Sequence, residues 1–255
     1  MATARPLADA DLERRFGGLE RLYGRVGYQR LRLARVAVVG LGGVGSWAAE
    51  ALARSGAAGL TLIDMDHVAE SNINRQVQAL GSTLGMGKGE ALRQRIADIH
   101  PGCEVALVDE FVSADNWPAL LPAPVHAVID ACDQGGAKLV LAQWARAQGV
   151  PLVICGAAGG KRLAHRIECA DLADATHDPL LATLRQRLRK AEPGAGKGGF
   201  GLRCVYSRES VALPQTDECA IDGSLNCHGY GSSVAVTAAF GMAAAADIMQ
   251  SIAAG

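Results

Sequence analysis

Val36-Ala-Val-Val-Gly-Leu-Gly-Gly-Val-Gly-Ser-Trp-Ala-Ala-Glu50 decides the fold. Val36–Val39 is a short apolar run, mostly β-branched, of the kind that forms a buried strand. Glycine punctuation follows it, and then a stretch of helical period. Gly40, Gly42 and Gly45 satisfy G-x-G-x-x-G in strand–turn–helix context. Such a loop lets backbone approach phosphate closely, and the helix behind it presents unpaired N–H groups and the positive end of its dipole. Asp64 closes the next apolar run, 24 positions after Gly40, where a carboxylate can accept from ribose hydroxyls.

Outward from this loop, apolar runs alternate with helical patterns. Leu60–Ile63, Val105–Val108, Val125–Ile129 and Pro151–Cys155 read as further strands, and Ser46–Ser55, Lys88–Ile99 and Gly136–Gln148 as helices between them. Strands that are apolar throughout, separated by helices, imply a parallel sheet covered on both faces. The expected fold class is therefore α/β: doubly wound, mostly parallel and Rossmann-like. After Gly160 the pattern changes. Arg166–Cys169 and Cys204–Tyr206 predict a C-terminal extension of the sheet. Asp178-Pro179 opens a helix, with Asp as cap and Pro in the first turn. Pro193–Gly201 reads as a mobile, Gly-rich loop. Gly229–Ala246 is apolar and small, nearly long enough to span a bilayer, but without Leu or Ile; it reads as an Ala-rich core helix. At 255 residues the chain is expected to be a single domain, 1–255, with a basic helix and the Gly-rich loop inserted at about 161–203.

Composition narrows the function classes. Hydrophobic residues are 49% and charged residues 20%, which excludes disorder for most of the chain. The net charge of −1 excludes a globally basic nucleic-acid binder but leaves room for a local basic patch. The seven cysteines are odd in number, scattered and without a Cys-x-x-Cys, so neither a disulfide framework nor a four-thiolate zinc site is expected. The N-terminus has early acids and no apolar core of a signal peptide, which points to the cytoplasm.

The glycine loop says nucleotide without saying which: NAD and ATP both remain open on the loop alone. Cations and a carboxylate tilt the reading toward ATP. Asn72-Ile-Asn-Arg75 follows Asp64-Met-Asp66, Lys88 opens a helix, and Asp133 follows the fourth strand. Arg75 and Lys88 can neutralise a triphosphate, and Asp133, beside the crevice at the strand ends, can hold Mg²⁺.

These residues together resemble the ubiquitin-activating-enzyme-like superfamily of adenylating enzymes (ThiF, MoeB and HesA). The resemblance runs from about Arg15 to Ala246 and rests on Gly40–Gly45, Leu62–Asp66, Ser71–Arg75, Gly87-Lys88 and Asp130–Asp133. Arg15–Gly18, Arg21–Gly24, Asp171-Leu-Ala, Asp178-Pro-Leu and Leu184–Leu188 resemble its tRNA-modifying branch. The resemblance implies an enzyme that binds ATP and Mg²⁺ and adenylates a carboxylate. Gly40, Gly42, Gly43 and Gly45 would lie at the phosphates, Asp64 and Asp66 on the ribose side, and Asn72, Arg75 and Lys88 at the phosphates. Asp133 would serve the metal and the attacking acid, with Arg75, Lys88 and Asp133 as the catalytic set. In that branch the acid is the threonine carboxylate of threonylcarbamoyladenosine next to the tRNA anticodon, which is cyclised with loss of water. The alternative within the superfamily is adenylation of a sulfur-carrier or ubiquitin-like protein. Two departures are visible: the zinc-binding Cys-x-x-Cys pairs are missing, and Gly18 stands where many relatives place a second Arg that enters the partner subunit. Arg21 is the candidate replacement. The resemblance also implies a homodimer.

The tRNA side has its own signal. Arg185, Arg187, Arg189, Lys190, Lys197 and Arg203 face only Glu192, and Lys161, Arg162, His165 and Arg166 add to them. The first five are expected to follow RNA phosphates without reading bases, and no DNA partner is expected. Cys227, beside His228, is a candidate reactive thiol; superfamily members that form thioesters would connect it to a cysteine desulfurase or sulfur-acceptor system.

Overall fold

The computed structural model describes residues 10–212 and 230–255. Its strands are β1 (Arg35–Val39), β2 (Gly59–Ile63), β3 (Glu104–Val108), β4 (Ala127–Asp130), β5 (Leu152–Cys155), β6 (Ile167–Asp171) and β7 (Arg203–Ser207). They form one sheet in the order β3-β2-β1-β4-β5-β7-β6. Every neighbouring pair is parallel except β6 with β7. The doubly wound α/β reading and its C-terminal extension of the sheet therefore hold.

The helices are α1 (Leu12–Phe16), α2 (Gly18–Leu33), α3 (Gly45–Arg54), α4 (Lys88–Ile99), α5 (Gly135–Gln148), α6 (Pro179–Ala191) and α7 (Val234–Ala254). Side chains alternate across β1, so Val36 and Val38 join one core with α3, α4 and α7, while Ala37 and Val39 join a second with α5 and α6. The small residues of α7 have a packing reason. A Cβ on Gly241 would collide with the Val44 carbonyl and lie 2.9 Å from the Ala48 nitrogen, so α7 presses directly on α3. Among the described residues α7 is the one helix long and apolar enough to cross a membrane, yet Val236, Phe240, Ala244, Ala245 and Ile248 are spent on the protein core.

Three local expectations meet the structure in detail. Asp178 caps α6, accepting from the Leu181 N–H at 3.0 Å, with Pro179 in the first turn. Strand β4 begins at Ala127 rather than Val125, because His126 is engaged sideways: its N–H donates to the Arg35 carbonyl and its Nδ1 accepts from the Arg35 N–H. The Gly-rich loop, read as mobile, is fastened at its far end: the Asp171 carboxylate accepts from the Phe200 and Leu202 N–H groups, and Phe200 is buried.

The chain crosses to opposite sides of the sheet from β1, toward β2 and toward β4. That reversal opens a crevice at the carboxyl ends of β1 and β4. The glycine loop and the Asp130–Asp133 segment both end there.

Candidate active site

The crevice is a cavity of about 480 Å³. Gly40, Gly42, Gly43, Asp64, Asp66, Asn72, Arg75, Lys88 and Asp133 all line it. Residues from five separate segments of sequence thus converge on one space. Gly45 lies just behind them as the first residue of α3.

The glycines divide by cause. Gly40 has φ +84, and a Cβ there would meet the Ala131 and Cys132 backbone at 2.9 Å, so the fold itself requires it. A Cβ on Gly45 would strike the Gly40 carbonyl. Gly42 has nothing within 4 Å of an added Cβ and faces the cavity. Among the described residues no packing demands glycine there, and the bare backbone at the cavity permits close approach of a ligand.

Asp64 is nearly buried and braces the loop. Its Oδ2 accepts from the Leu41 N–H at 2.6 Å and its Oδ1 from the Asp66 N–H at 2.9 Å. Lys88, buried at the start of α4, places Nζ 2.6 Å from Asp66 Oδ2 and 3.7 Å from Asp64 Oδ1. Asn72 is buried, and its side-chain oxygen accepts from the Ala69 N–H, closing its own turn. The Arg75 stem packs over Gly43, and its guanidinium donates to the Ser71 carbonyl at 2.6 Å and to Asn74 Oδ1 at 3.1 Å. The Trp47 indole N–H donates to the Arg75 carbonyl at 2.9 Å and fixes that backbone. Arg75 makes no ion pair among the described residues. Asp133 is exposed on the cavity wall.

Beneath Asp133 lies a feature that sequence reading missed. Lys138 Nζ is 3.1 Å from Asp130 Oδ1 and 2.9 Å from the Cys155 carbonyl, with both side chains wholly buried. Burial opposes the Lys138 charge, but Asp130 outweighs it and the pKa is raised. Asp130 Oδ1 also accepts from the Cys132 N–H, so the pair underpins the turn that presents Asp133. Burial, with the Asp130 charge added, pushes the Cys132 thiol well up and keeps it protonated. The signal in sequence was a lysine inside the apolar run Ala137–Leu141. Phe111, an exposed aromatic on the cavity wall, and Thr237, from α7, were also missed.

The basic residues of 185–203 separate into two kinds. The Arg185 guanidinium, expected at RNA phosphates, donates through one nitrogen to the carbonyls of Leu172 and Ala175 at 2.9 and 2.8 Å and is tied to the protein's own backbone. Arg203 is paired bidentately with Asp247, and Lys161 is buried among the carbonyls of His177, Ser207 and Glu209. Arg187, Arg189, Lys190 and Lys197 remain exposed; Arg189 stacks on Phe200, and Arg187 reaches Gly135 at the head of α5. Cys227 and Cys219 lie outside the described residues. Arg21 is exposed on α2.

Comparison with known proteins agrees with this geometry. Residues 17–254 match the ThiF family. The chain belongs to that family. Within the ThiF family, it is 42% identical over 248 residues to the tRNA threonylcarbamoyladenosine dehydratase of Escherichia coli, covering 92% of each chain. It is 39% identical over 244 residues to the Haemophilus influenzae enzyme of the same name, covering 94% of each. The crystal structure of the E. coli dehydratase in complex with ATP superposes with a TM-score of 0.85 at 40% identity, over 96% of both chains. The molybdopterin-synthase adenylyltransferase of Salmonella typhimurium is 37% identical over 127 residues, or 50% of this chain and 51% of that one.

Proposed function

We propose that this chain is an ATP-dependent tRNA threonylcarbamoyladenosine dehydratase. The observation that carries the reading is the single cavity in which a phosphate-type glycine loop, two cations and the carboxylate of Asp133, unpaired among the described residues, meet. The full-length likeness to the dehydratases, against a half-length likeness to the molybdopterin-synthase adenylyltransferase, favours this activity over adenylation of a carrier protein.

ATP binds with its phosphates over Gly40–Gly45 and its ribose toward Asp64. Arg75 and Lys88 take up the phosphate charge, Arg as a fork and Lys as a point charge. A threonine carboxylate oxygen of the tRNA nucleoside attacks the α-phosphorus, the bond to pyrophosphate breaks, and an acyl-adenylate forms. The neighbouring carbamoyl group then closes on the activated carbonyl and expels AMP, with one proton lost. The chain's part is positioning and charge stabilisation. Mg²⁺ fits the donor set: Asp133 offers one exposed carboxylate, and Mg²⁺ is commonly held by one or two carboxylates together with substrate phosphates. It would neutralise phosphate oxygens when bound.

The tRNA backbone lies along Arg187, Arg189, Lys190 and Lys197. The enzyme works as a homodimer in the cytoplasm, and Cys227 stands apart from the reaction, since cyclisation of an acyl-adenylate uses no enzyme thiol. The purified protein with ATP, Mg²⁺ and tRNA carrying the open nucleoside is expected to release AMP while the base loses one water. Absence of AMP release overturns the reading, and equal processing of the free nucleoside removes its tRNA part.

A further inference from the structure

We propose that Thr237 is a positioning residue for Arg75 in the nucleotide-bound enzyme, an inference that rests on Arg75 serving the nucleotide phosphates. Thr237 lies in the first turn of α7, wholly buried, and lines the cavity at the glycine loop. Its hydroxyl has no hydrogen-bond partner among the described residues. A helical threonine ordinarily bonds the carbonyl one turn back or faces water. Here it does neither, and an unpaired buried hydroxyl costs stability that a valine of the same shape would not.

The neighbour is Arg75. A Cβ placed on Gly43 would lie 3.1 and 3.2 Å from Cγ and Cδ of Arg75 and 3.2 Å from Cβ of Thr237, so the two side chains flank one point above the phosphate loop. The Arg75 fork now points to its own turn, at Ser71 and Asn74. A guanidinium has five donors, and this one uses a single nitrogen there. Phosphates over the glycine loop draw the fork inward across Gly43. The Thr237 oxygen is the unused acceptor beside that path, and a bond from the guanidinium to it holds the fork toward the phosphates. The contact also explains the choice of residue: Thr supplies an acceptor in the volume of Val.

The test compares Thr237→Val and Thr237→Ser, each also in an Arg75→Ala background. ATP affinity is read by calorimetry and the thermal midpoint by scanning calorimetry. Thr237→Val is expected to weaken ATP binding about tenfold, the scale of one charge-assisted hydrogen bond, with the midpoint unchanged or raised. Thr237→Ser is expected to bind like the wild type, and in the Arg75→Ala background Thr237→Val is expected to change ATP affinity by less than about twofold. Wild-type affinity in Thr237→Val, an undiminished loss in the Arg75→Ala background, or a lowered midpoint overturns the proposal. Wild-type AMP release on tRNA, measured in parallel, separates its failure from failure of the dehydratase reading.

Discussion

Lys88 Nζ stands 2.6 Å from Asp66 Oδ2 inside the cavity, a buried ammonium against a half-exposed carboxylate. With Asp64 Oδ1 at 3.7 Å, the ammonium faces two acids at the end of β2. Three donors on one nitrogen let Lys88 keep Asp66 while turning another N–H to a phosphate. Lys88→Met removes that donor and leaves two acids facing an anionic ligand. ATP affinity measured by calorimetry is expected to fall ten- to hundredfold, since a hydrogen bond to a charged group contributes about 1.5–3 kcal/mol. Unchanged affinity would remove Lys88 from the phosphate site.

Asp133 makes the opposite case, because it contributes to the cavity and to nothing else the structure shows. It is exposed and has no hydrogen bond or ion pair among the described residues. Asp133→Ala is therefore expected to leave stability within about 0.5 kcal/mol. AMP release is expected to drop by at least about a hundredfold, the scale for losing a group that stabilises developing charge. A parallel fall in thermal midpoint would mean that Asp133 holds structure rather than substrate.

The contrast between these residues shows what the sequence could convey. Strands covered on both faces appear as continuous apolar runs, so β1, β2 and β5 were readable nearly to the residue, and the edge strand β3, which is only partly buried, was readable from its apolar run Val105–Val108. The glycine loop was readable because Gly40 and Gly45 answer to backbone collisions that any sequence of this turn must avoid. The cations were another matter. Arg185 and Arg187 look alike in a charge count, yet one is turned into three carbonyls and the other lies over Gly135. Lys138 looks like an ordinary helix-surface lysine until β4 places Asp130 beneath it. Such roles depend on which partners the tertiary fold brings near; for Lys138 the apolar run around it hints at burial, but nothing local names Asp130 as its partner.

The pair Lys138–Asp130 is expected to be a stability element with a catalytic consequence. Breaking a buried pair by removing one partner leaves an uncompensated charge and costs about 3–5 kcal/mol. Lys138→Met is expected to show this in denaturant unfolding, and Asp130→Asn added to it to recover part of the loss. The folded Lys138 pKa is raised, so its contribution is complete below the ordinary lysine range near 10 and is lost only as pH rises beyond it.

His100 predicts a pH dependence of the other kind. It is buried at the end of α4, its ring 4.8 Å from the Phe16 ring, with Nε2 3.2 Å from an Arg32 nitrogen. Burial first, then the Arg32 and Arg15 charges, lower its pKa in the folded state. As pH falls through the ordinary histidine range near 6.5, the unfolded chain takes up a proton that the folded chain refuses, and stability declines. Thermal midpoints are expected to fall from pH 7 to pH 5, with the slope reduced in His100→Phe. An equal slope in both proteins would place the titration elsewhere.

Arg185 and Arg187, two of the three arginines of α6, give the sharpest separation of structure from RNA binding. Arg185 ties the helix to the 172–175 segment through carbonyls, so Arg185→Ala is expected to lower the thermal midpoint. Arg187 is exposed and unpaired among the described residues, so Arg187→Ala is expected to leave the midpoint unchanged. Its effect should appear in tRNA binding. Removing one phosphate contact lowers the dependence of log affinity on log salt by about one unit, whereas a merely unfolded fraction lowers affinity without changing that slope. Filter binding across a salt series, done for both variants and for Lys190→Ala, distinguishes the two. A flat Arg187 result together with a reduced slope for Arg185→Ala would reverse the assignment and place the RNA track on the opposite face of the helix.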